Sequence, residues 1–401
     1  MKKITLLIVS VLMSCMAANA QQALWGRNQI VSPELNSDGT VTFRYRNPKA
    51  IRVQVTGDFL PTRKVEWEAE GRKMSFDAPG VADLQETPGG IWEYTTEALP
   101  SELYSYTFIV DGQTLIDPNN MWVNRDVATL SSMFIVPGGI GDDFSVGEVP
   151  HGTVSRLWYH SDVAGFDRRM TVYTPAGYET SKQRYPVVYI LHGMGGDEEA
   201  WVTQGRATQI LDNLIASGRA KPMIAVFTNG NISQEAAPLE NGNGYKVPAT
   251  SLPRTMEGGF ETSFPEIVRF IDGRYRTIAK KASRAICGLS MGGFHSLYVS
   301  ANNPDMFGYV GLFSAAVGVN DTSVSPIYQD IDSKLKTQFG RKPALYFIAI
   351  GKTDFLYQAN ADYRKKLDEA GYPYEYLESE GGHIWRNWRV YLDTFLPKLF
   401  K

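Results

Sequence analysis

Cysteine is nearly absent: the 401 residues hold two, Cys15 and Cys287. Two thiols supply neither a disulfide framework nor a multi-thiolate metal site. Positive charge is also short. Forty Lys and Arg stand against 43 Asp and Glu, a formal net charge of -3. With no basic surplus to neutralise phosphates, nucleic acid is argued against as the main partner. Beyond the extreme N-terminus no apolar run is long enough to cross a bilayer as a helix. Histidine is scarce too, five in the chain, so few side chains compete for the role of a catalytic base. What is present is a 43% hydrophobic share, ample for a packed core and too high for general disorder. The length exceeds the usual single domain, so two domains are expected.

The first twenty residues stand apart. Lys2 and Lys3 precede an apolar run from Ile4 to Met13, broken only by Thr5 and Ser10. Ala18-Asn19-Ala20 then places small residues where a signal peptidase reads. The expectation is a secretory signal over residues 1–20, a mature chain starting at Gln21, and a protein that is periplasmic or secreted. Removing Lys2 and Lys3 takes the net charge from -3 to -5, and Cys287 is left alone. Leu12-Met13-Ser14-Cys15 offers a competing lipoprotein signal, with lipid anchoring at Cys15, but Met13 is bulky for the position it would hold.

From Gln21 to about 137 the grammar is that of strands. Val41 to Tyr45, Ile51 to Val55, Trp92 to Thr96 and Tyr104 to Val110 alternate apolar and polar residues, as strands with one buried face do. Ser37-Asp38-Gly39, Asn47-Pro48, Pro88-Gly89-Gly90 and Asp111-Gly112 punctuate them. A small all-β, immunoglobulin-like sandwich is expected over 21–137. Residues 138–151, opening with Gly138-Gly139-Ile140-Gly141-Asp142-Asp143, read as a linker. From 152 to 401 strands and helices alternate. Tyr185 to Leu191, Met223 to Phe227, Arg284 to Gly288, Tyr309 to Phe313 and Leu345 to Ile350 are continuous apolar runs. They are separated by helical stretches at 207–217, 264–275, 292–302, 357–371 and 384–396. The pattern predicts an α/β fold with a parallel sheet covered on both sides. The stretch Asn229 to Gly259 is long for a connection, as functional loops often are.

Gly288-Leu289-Ser290-Met291-Gly292 matches G-x-S-x-G and falls between a strand and a helix. That context suits a nucleophilic serine on a sharp turn, with the helix N-terminus beside the developing oxyanion. A base is then required. Of the five histidines, His383 follows a strand at 374–377 and lies on a loop at the sheet edge, where it can meet Ser290. The acid should end a strand between the two, and Asp354 follows Leu345 to Ile350. Asp368 falls within a helix and Glu380 lies almost beside His383, so both fit less well. The competing readings are a glycine-rich turn for Ser290, a packing histidine for His383 and a turn or helix-cap aspartate for Asp354. For the oxyanion hole the expected donors are the N–H of Met291 and, from His192-Gly193-Met194-Gly195-Gly196, the N–H of Met194, with Gly193 as the other choice. His192 then braces a loop. A metal role for His192 with Asp197 lacks a third ligand of convincing spacing. No metal and no organic cofactor are implied.

Residues 152–401 resemble the esterase family that includes feruloyl esterases, acetylxylan esterases, S-formylglutathione hydrolases and enterochelin esterases. The resemblance is carried by Leu191-His192-Gly193, Gly288 to Gly293, Gly351-Lys352-Thr353-Asp354-Phe355 and Gly381-Gly382-His383-Ile384-Trp385-Arg386-Asn387-Trp388. It implies an α/β-hydrolase sandwich with the family's nucleophile at Ser290, acid at Asp354 and base at His383. The N-terminal part resembles the E-set domain related to family 48 carbohydrate-binding modules, through Val53 to Phe59, Trp92, Tyr104-Ser105-Tyr106, Val110-Asp111-Gly112 and Asp117-Pro118-Asn119. Trp67, Trp92 and Trp122 are the aromatics for a sugar platform, a core or interdomain place being as good a fit for each.

Together these readings predict an exported serine carboxylic ester hydrolase that removes acyl groups, feruloyl first, from plant cell-wall xylan. Its partner is an acylated polysaccharide or oligosaccharide. Activity should fall as His383 becomes protonated. An acetylxylan esterase or an enterochelin-type siderophore esterase are the enzymatic alternatives. A carbohydrate-binding protein with an inactive hydrolase domain is the non-enzymatic one.

Overall fold

Alternation of apolar and polar side chains builds the first half of the chain. The computed structural model describes residues 30–69, 72–241, 249, 252–318 and 325–401. The leader read in residues 1–20, with Cys15, lies outside them. Among the described residues, twelve strands precede Pro137: β1 Glu34–Leu35, β2 Val41–Arg46, β3 Val53–Gly57, β4 Arg63–Ala69, β5 Arg72–Ala78, β6 Gly80–Asp83, β7 Gln85–Thr87, β8 Ile91–Thr95, β9 Glu102–Val110, β10 Gln113–Leu115, β11 Val123–Asp126 and β12 Thr129–Val136. One antiparallel sheet runs β1-β2-β8-β7 and a second runs β11-β12-β9-β3-β6, with β10 on β9 and β4–β5 as a separate two-stranded sheet. Phe43 lies at the centre, its ring 4.9 Å from Phe59, 4.8 Å from Tyr106 and 5.6 Å from Phe134. The all-β expectation holds for this part.

The hairpin β11–β12 escapes the sequence reading for a physical reason. Its turn is Asp126-Val127-Ala128-Thr129, with neither glycine nor asparagine where a two-residue hairpin loop favours them. Val127 nonetheless takes φ 53°, an uncommon conformation for a β-branched residue.

Residues 138–151 are less loose than their glycines suggest. A short helix, α1 (Ile140–Phe144), buries Phe144 completely. The Asn213 amide donates to the carbonyls of Asp142, Asp143 and Ser145, each at 3.0 Å. A helix of five residues is too short to show periodicity, so its single apolar anchor goes unseen.

The second half contains β13 Thr153–Ser161, β14 Phe166–Thr174, β15 Val187–Leu191, α2 Ala200–Thr203, α3 Ala207–Ala216, β16 Ile224–Thr228, α4 Gly259–Arg274, β17 Arg284–Leu289, α5 Met291–Asn302, β18 Tyr309–Phe313, α6 Ile331–Gly340, β19 Leu345–Gly351, α7 Tyr357–Glu369, β20 Glu375–Ser379 and α8 Trp385–Phe395. The sheet order is β13-β14-β16-β15-β17-β18-β19-β20. Expected to be parallel, it is mixed: β13/β14 and β14/β16 are antiparallel and the remaining pairs parallel. The hairpin β13–β14 accounts for the difference. The central runs are apolar throughout because both faces are covered. Val187, Tyr189 and Leu191 pack in one core cluster, Val188 and Ile190 in the other.

That second cluster also takes in Leu103, Met133 and Phe144, so the N-terminal sheets share an apolar core with one face of the large sheet. Arg389 of α8 crosses this boundary. It is 1% exposed and donates to Leu103 O at 2.7 Å and Gln204 O at 3.3 Å, with Glu102 at 3.5 Å. Arg386 donates to Asp58 O at 3.0 Å and lies 4.9 Å from the Tyr104 ring centre. No described helix is long and apolar enough to cross a membrane.

Candidate active site

In an open α/β sheet, loops leaving the carboxyl ends of the strands meet beside the point where strand order reverses. Here that point is β15, which has β16 on one side and β17 on the other. The loops after β15, β17, β19 and β20 carry the candidate residues.

Ser290 sits between β17 and α5 with φ 52° and ψ -115°. This is a sparsely populated conformation for a residue with a side chain, held only where the surroundings over-determine it. They do so here. Ser290 N–H donates to Phe313 O at 2.9 Å, and Ser290 O accepts from the N–H groups of Phe294 and Ala316, each at 3.0 Å. Gly288 and Gly292 are required by close approach. A Cβ on Gly292 would lie 2.4 Å from Leu191 O, and one on Gly288 would lie 2.5 Å from the carbonyl of Gly292. The first N–H groups of α5 have no partner within the helix, and Met291, at 1% exposure, opens it.

Asp354 and His383 are brought together by two loops that run side by side. Thr353 N–H donates to Gly381 O at 3.0 Å and Lys352 N–H to Ser379 O at 2.9 Å. Gly381 adopts φ 79°, and a Cβ on Gly351 would lie 2.2 Å from Gly381 O. His383 Nδ1 then lies 2.9 Å and 3.1 Å from the two carboxylate oxygens of Asp354. The Asp354 side chain has no exposure and that of His383 has 17%. Leu356 N–H holds Asp354 Oδ1 at 2.9 Å. The imidazole is wedged between Phe355, 4.5 Å away, and the edge of Trp388, 4.9 Å away. With Nδ1 engaged by the carboxylate, Nε2 is the nitrogen left for proton transfer. The runner-up acids are elsewhere: Asp368 is exposed on α7, and Glu380 is exposed and paired with Lys352.

Ser290 and His383 line one cavity of about 660 Å³, together with Gly193, Met194 and Met291. Gly193 packs directly on the serine: a Cβ there would lie 3.3 Å from Ser290 Cβ and 2.4 Å from Leu289 Cδ1. His192 braces this loop. Its Nδ1–H donates to Gly193 O at 2.7 Å, and its Nε2 accepts from Gly230 N–H at 2.8 Å. Burial pushes its pKa down to about 4, so it is neutral at neutral pH. Both ring nitrogens are engaged, which leaves neither for a metal.

The lining is of two kinds. Leu289, Ala316, Phe355, Leu356, Trp385 and Trp388 are apolar or aromatic, while Arg125, Asp126, Arg156, Arg169, Asp197, Glu199 and Glu240 are charged. Ala237, Pro238, Glu240 and Met256 come from the long Asn229–Gly259 loop, of which residues 242–248 and 250–251 lie outside the described residues. Sequence reasoning missed the contribution of β11 and its turn, Asn124 to Val127, because no local motif marks it. Of the aromatics weighed for a sugar platform, Trp92 and Trp122 take the alternative place, packed within the protein. Trp92 is 8% exposed with its indole N–H on Asn47 O at 3.0 Å. Trp122 is stacked under the Arg206 guanidinium at 4.9 Å. Trp67 belongs to β4.

Fold and site together define the class of the serine esterases built on an α/β-hydrolase sheet. Within it, the Esterase family model ("Putative esterase") matches residues 161–399, and the chain belongs to that family. An endo-1,4-beta-xylanase/feruloyl esterase of Xylanibacter ruminicola is 28% identical over 380 residues, 92% of this chain. The chain spans 46% of the length of that relative. Among solved structures, a ferulic acid esterase is 30% identical with a TM-score of 0.50, over 62% of this chain and 97% of the other. The enterobactin esterase FES of Shigella flexneri is alike in fold at 17% identity, with a TM-score of 0.61, over 92% of this chain and 95% of its own.

Proposed function

We propose that this protein is a serine carboxylic ester hydrolase that removes acyl groups, feruloyl first, from xylan-type polysaccharide. The observation that carries the proposal is the strained Ser290 sharing one cavity with a His383 that Asp354 fixes through Nδ1. In this reading Ser290 Oγ attacks the ester carbonyl and His383 Nε2 takes its proton. The N–H groups of Met291 and of Met194 or Gly193 receive the oxyanion. His383 then returns the proton to the leaving sugar alkoxide. Water, activated by the same imidazole, cleaves the acyl-enzyme. Asp354 accepts the Nδ1–H and holds the imidazolium that forms.

The aromatic lining, Phe355, Trp385 and Trp388, supports an aryl acyl group, which an acetyl group would leave largely unfilled. The names of the Xylanibacter relative and of the ferulic acid esterase structure support the same choice. Likeness of fold to FES over both parts of the chain favours a catecholate trilactone as the second substrate to try. The proposal includes export by the leader at 1–20. It also divides the rest into a β-domain (21–137), a connection (138–151) and the catalytic domain (152–401). Supporting the division, the first sheets end at Val136 and the large sheet starts at Thr153.

A kinetic screen tests the substrate. Methyl ferulate and feruloylated arabinoxylan should be turned over, with kcat/KM for the ferulate at least tenfold above that for a methyl or p-nitrophenyl acetate. Turnover of acetylated xylan alone would overturn the feruloyl assignment, and preferential opening of a catecholate trilactone would replace it.

A further inference from the structure

The loop that packs on Ser290, from His192 to Asp197, is held at both ends. His192 fixes the first. At the other, the buried Asp197 (2% exposed) accepts Glu199 N–H on Oδ1 at 3.0 Å and forms an ion pair with Arg125 on Oδ2. Arg125 belongs to β11 in the N-terminal sheets, 72 residues away in sequence. Its second guanidinium nitrogen donates to Val127 O at 2.8 Å, stapling the turn in which Val127 holds φ 53°. Between the anchors, Gly193 O accepts from Gly196 N–H at 3.1 Å, and Gly196 O accepts from the Asn231 amide at 2.9 Å. The same turn reaches the opposite wall, where Asp126 faces Gln204 and Trp385, two residues beyond His383.

We infer that Arg125 is a positioning residue for hydrolysis: through Asp197 it fixes the Gly193–Met194 backbone against Ser290, so the N-terminal sheets set the geometry of the oxyanion site. The inference rests on the esterase reading. The physical basis is that oxyanion donors act only when pre-organised, and displacing them by about 1 Å costs up to about a hundredfold in rate. The Asp197 carboxylate, buried and fixed by one guanidinium, loses its counter-charge when Arg125 is removed, and the loop must rearrange to hydrate or protonate it.

The test uses the full-length chain and p-nitrophenyl acetate, an ester too small to span the cavity. Arg125→Met and Asp197→Asn should each lower kcat by about tenfold to a hundredfold, with KM within about threefold. The double variant should be no slower than the worse single one, since both remove one interaction. Affinity for a trifluoromethyl ketone, which places an oxyanion in the same site, should fall by the same factor as kcat. Arg125→Lys, which keeps the charge but not the fork that also holds Val127 O, should lie between; it carries the test if Arg125→Met does not fold. A purely structural role would lower the melting temperature and leave kcat unchanged. A substrate-contact role would raise KM for feruloylated oligosaccharide and leave p-nitrophenyl acetate untouched. Either outcome overturns the inference. Failure of the esterase reading is separate: wild-type protein would not turn the ester over, or Ser290→Ala would do so at the wild-type rate.

Discussion

The eight-stranded sheet and the N-terminal sheets contribute to one cavity by different means. In the large sheet each chemical group follows a strand directly: the Gly193 loop after β15, Ser290 after β17, Asp354 after β19 and His383 after β20. Backbone geometry there is dictated by contacts between the ends of neighbouring strands, such as the carbonyls of Leu191 and His192 against Gly292. In the N-terminal sheets the residues that reach the cavity, Asn124 to Val127, lie on a hairpin that no sequence motif marks. They arrive because Leu103, Met133 and Phe144 bury themselves against the large sheet. The lesson is that in one region the candidate groups are placed by the strands they follow, and in the other by packing between the sheets.

The sharpest way to break that contrast is to remove the local chemistry. Ser290→Ala should lower kcat on a soluble ester by about 10⁶, and Asp354→Asn by about 10⁴, with the fold retained. Kinetics with melting temperatures check both. A loss of only tenfold for Ser290→Ala would mean that the motif does not carry the reaction.

Next comes the packing that joins the regions. Arg389→Met removes the guanidinium that donates to the buried carbonyls of Leu103 and Gln204 and strips Glu102 of its ion-pair partner. We expect a loss of about 3–5 kcal/mol in unfolding free energy, read from urea titration. A change below about 1 kcal/mol would show that the shared apolar cluster alone holds the sheets together.

The smallest effect is in the pH dependence of stability. A histidine in an unfolded chain titrates at about 6.5, and buried His192 at about 4. Between these values the unfolded chain binds more protons, so stability contributed by neutral His192 is lost as pH falls from about 6.5 to about 4. Asp393, in the interface beside Asp143, behaves in the opposite sense. Burial and the neighbouring carboxylate raise it to about 6. Its penalty therefore grows as pH rises from about 3.8 to about 6. Asp393→Asn should stabilise the protein above pH 6 and not at pH 4. His192→Asn should flatten the acid limb. Denaturant midpoints across pH 4–8 check both, and identical midpoint shifts at the two ends would contradict the assignment.

Much of this was legible in the sequence. Apolar runs marked the central strands, and G-x-S-x-G between a strand and a helix located Ser290. The spacing of strand ends located Asp354 and His383, and the glycines after His192 located the loop that packs on the serine. The hairpin β13–β14 was missed, and with it the mixed character of the sheet. The turn at Val127 was missed because it breaks turn chemistry and is stapled instead by Arg125. Of the two places weighed for Trp92, the core is the one it takes, as the apolar member of an alternating strand. Contacts between the N-terminal sheets and the large sheet's helices, such as Arg389 with Leu103, span 286 residues, and no local pattern encodes them.

Peptide-level mass spectrometry after treatment with a fluorophosphonate probes the nucleophile itself. The account predicts a single stoichiometric adduct on Ser290, absent in Ser290→Ala and formed about a hundredfold more slowly in His383→Ala. Folded wild-type protein that stays unlabelled, or that carries its adduct on a different serine, would contradict it.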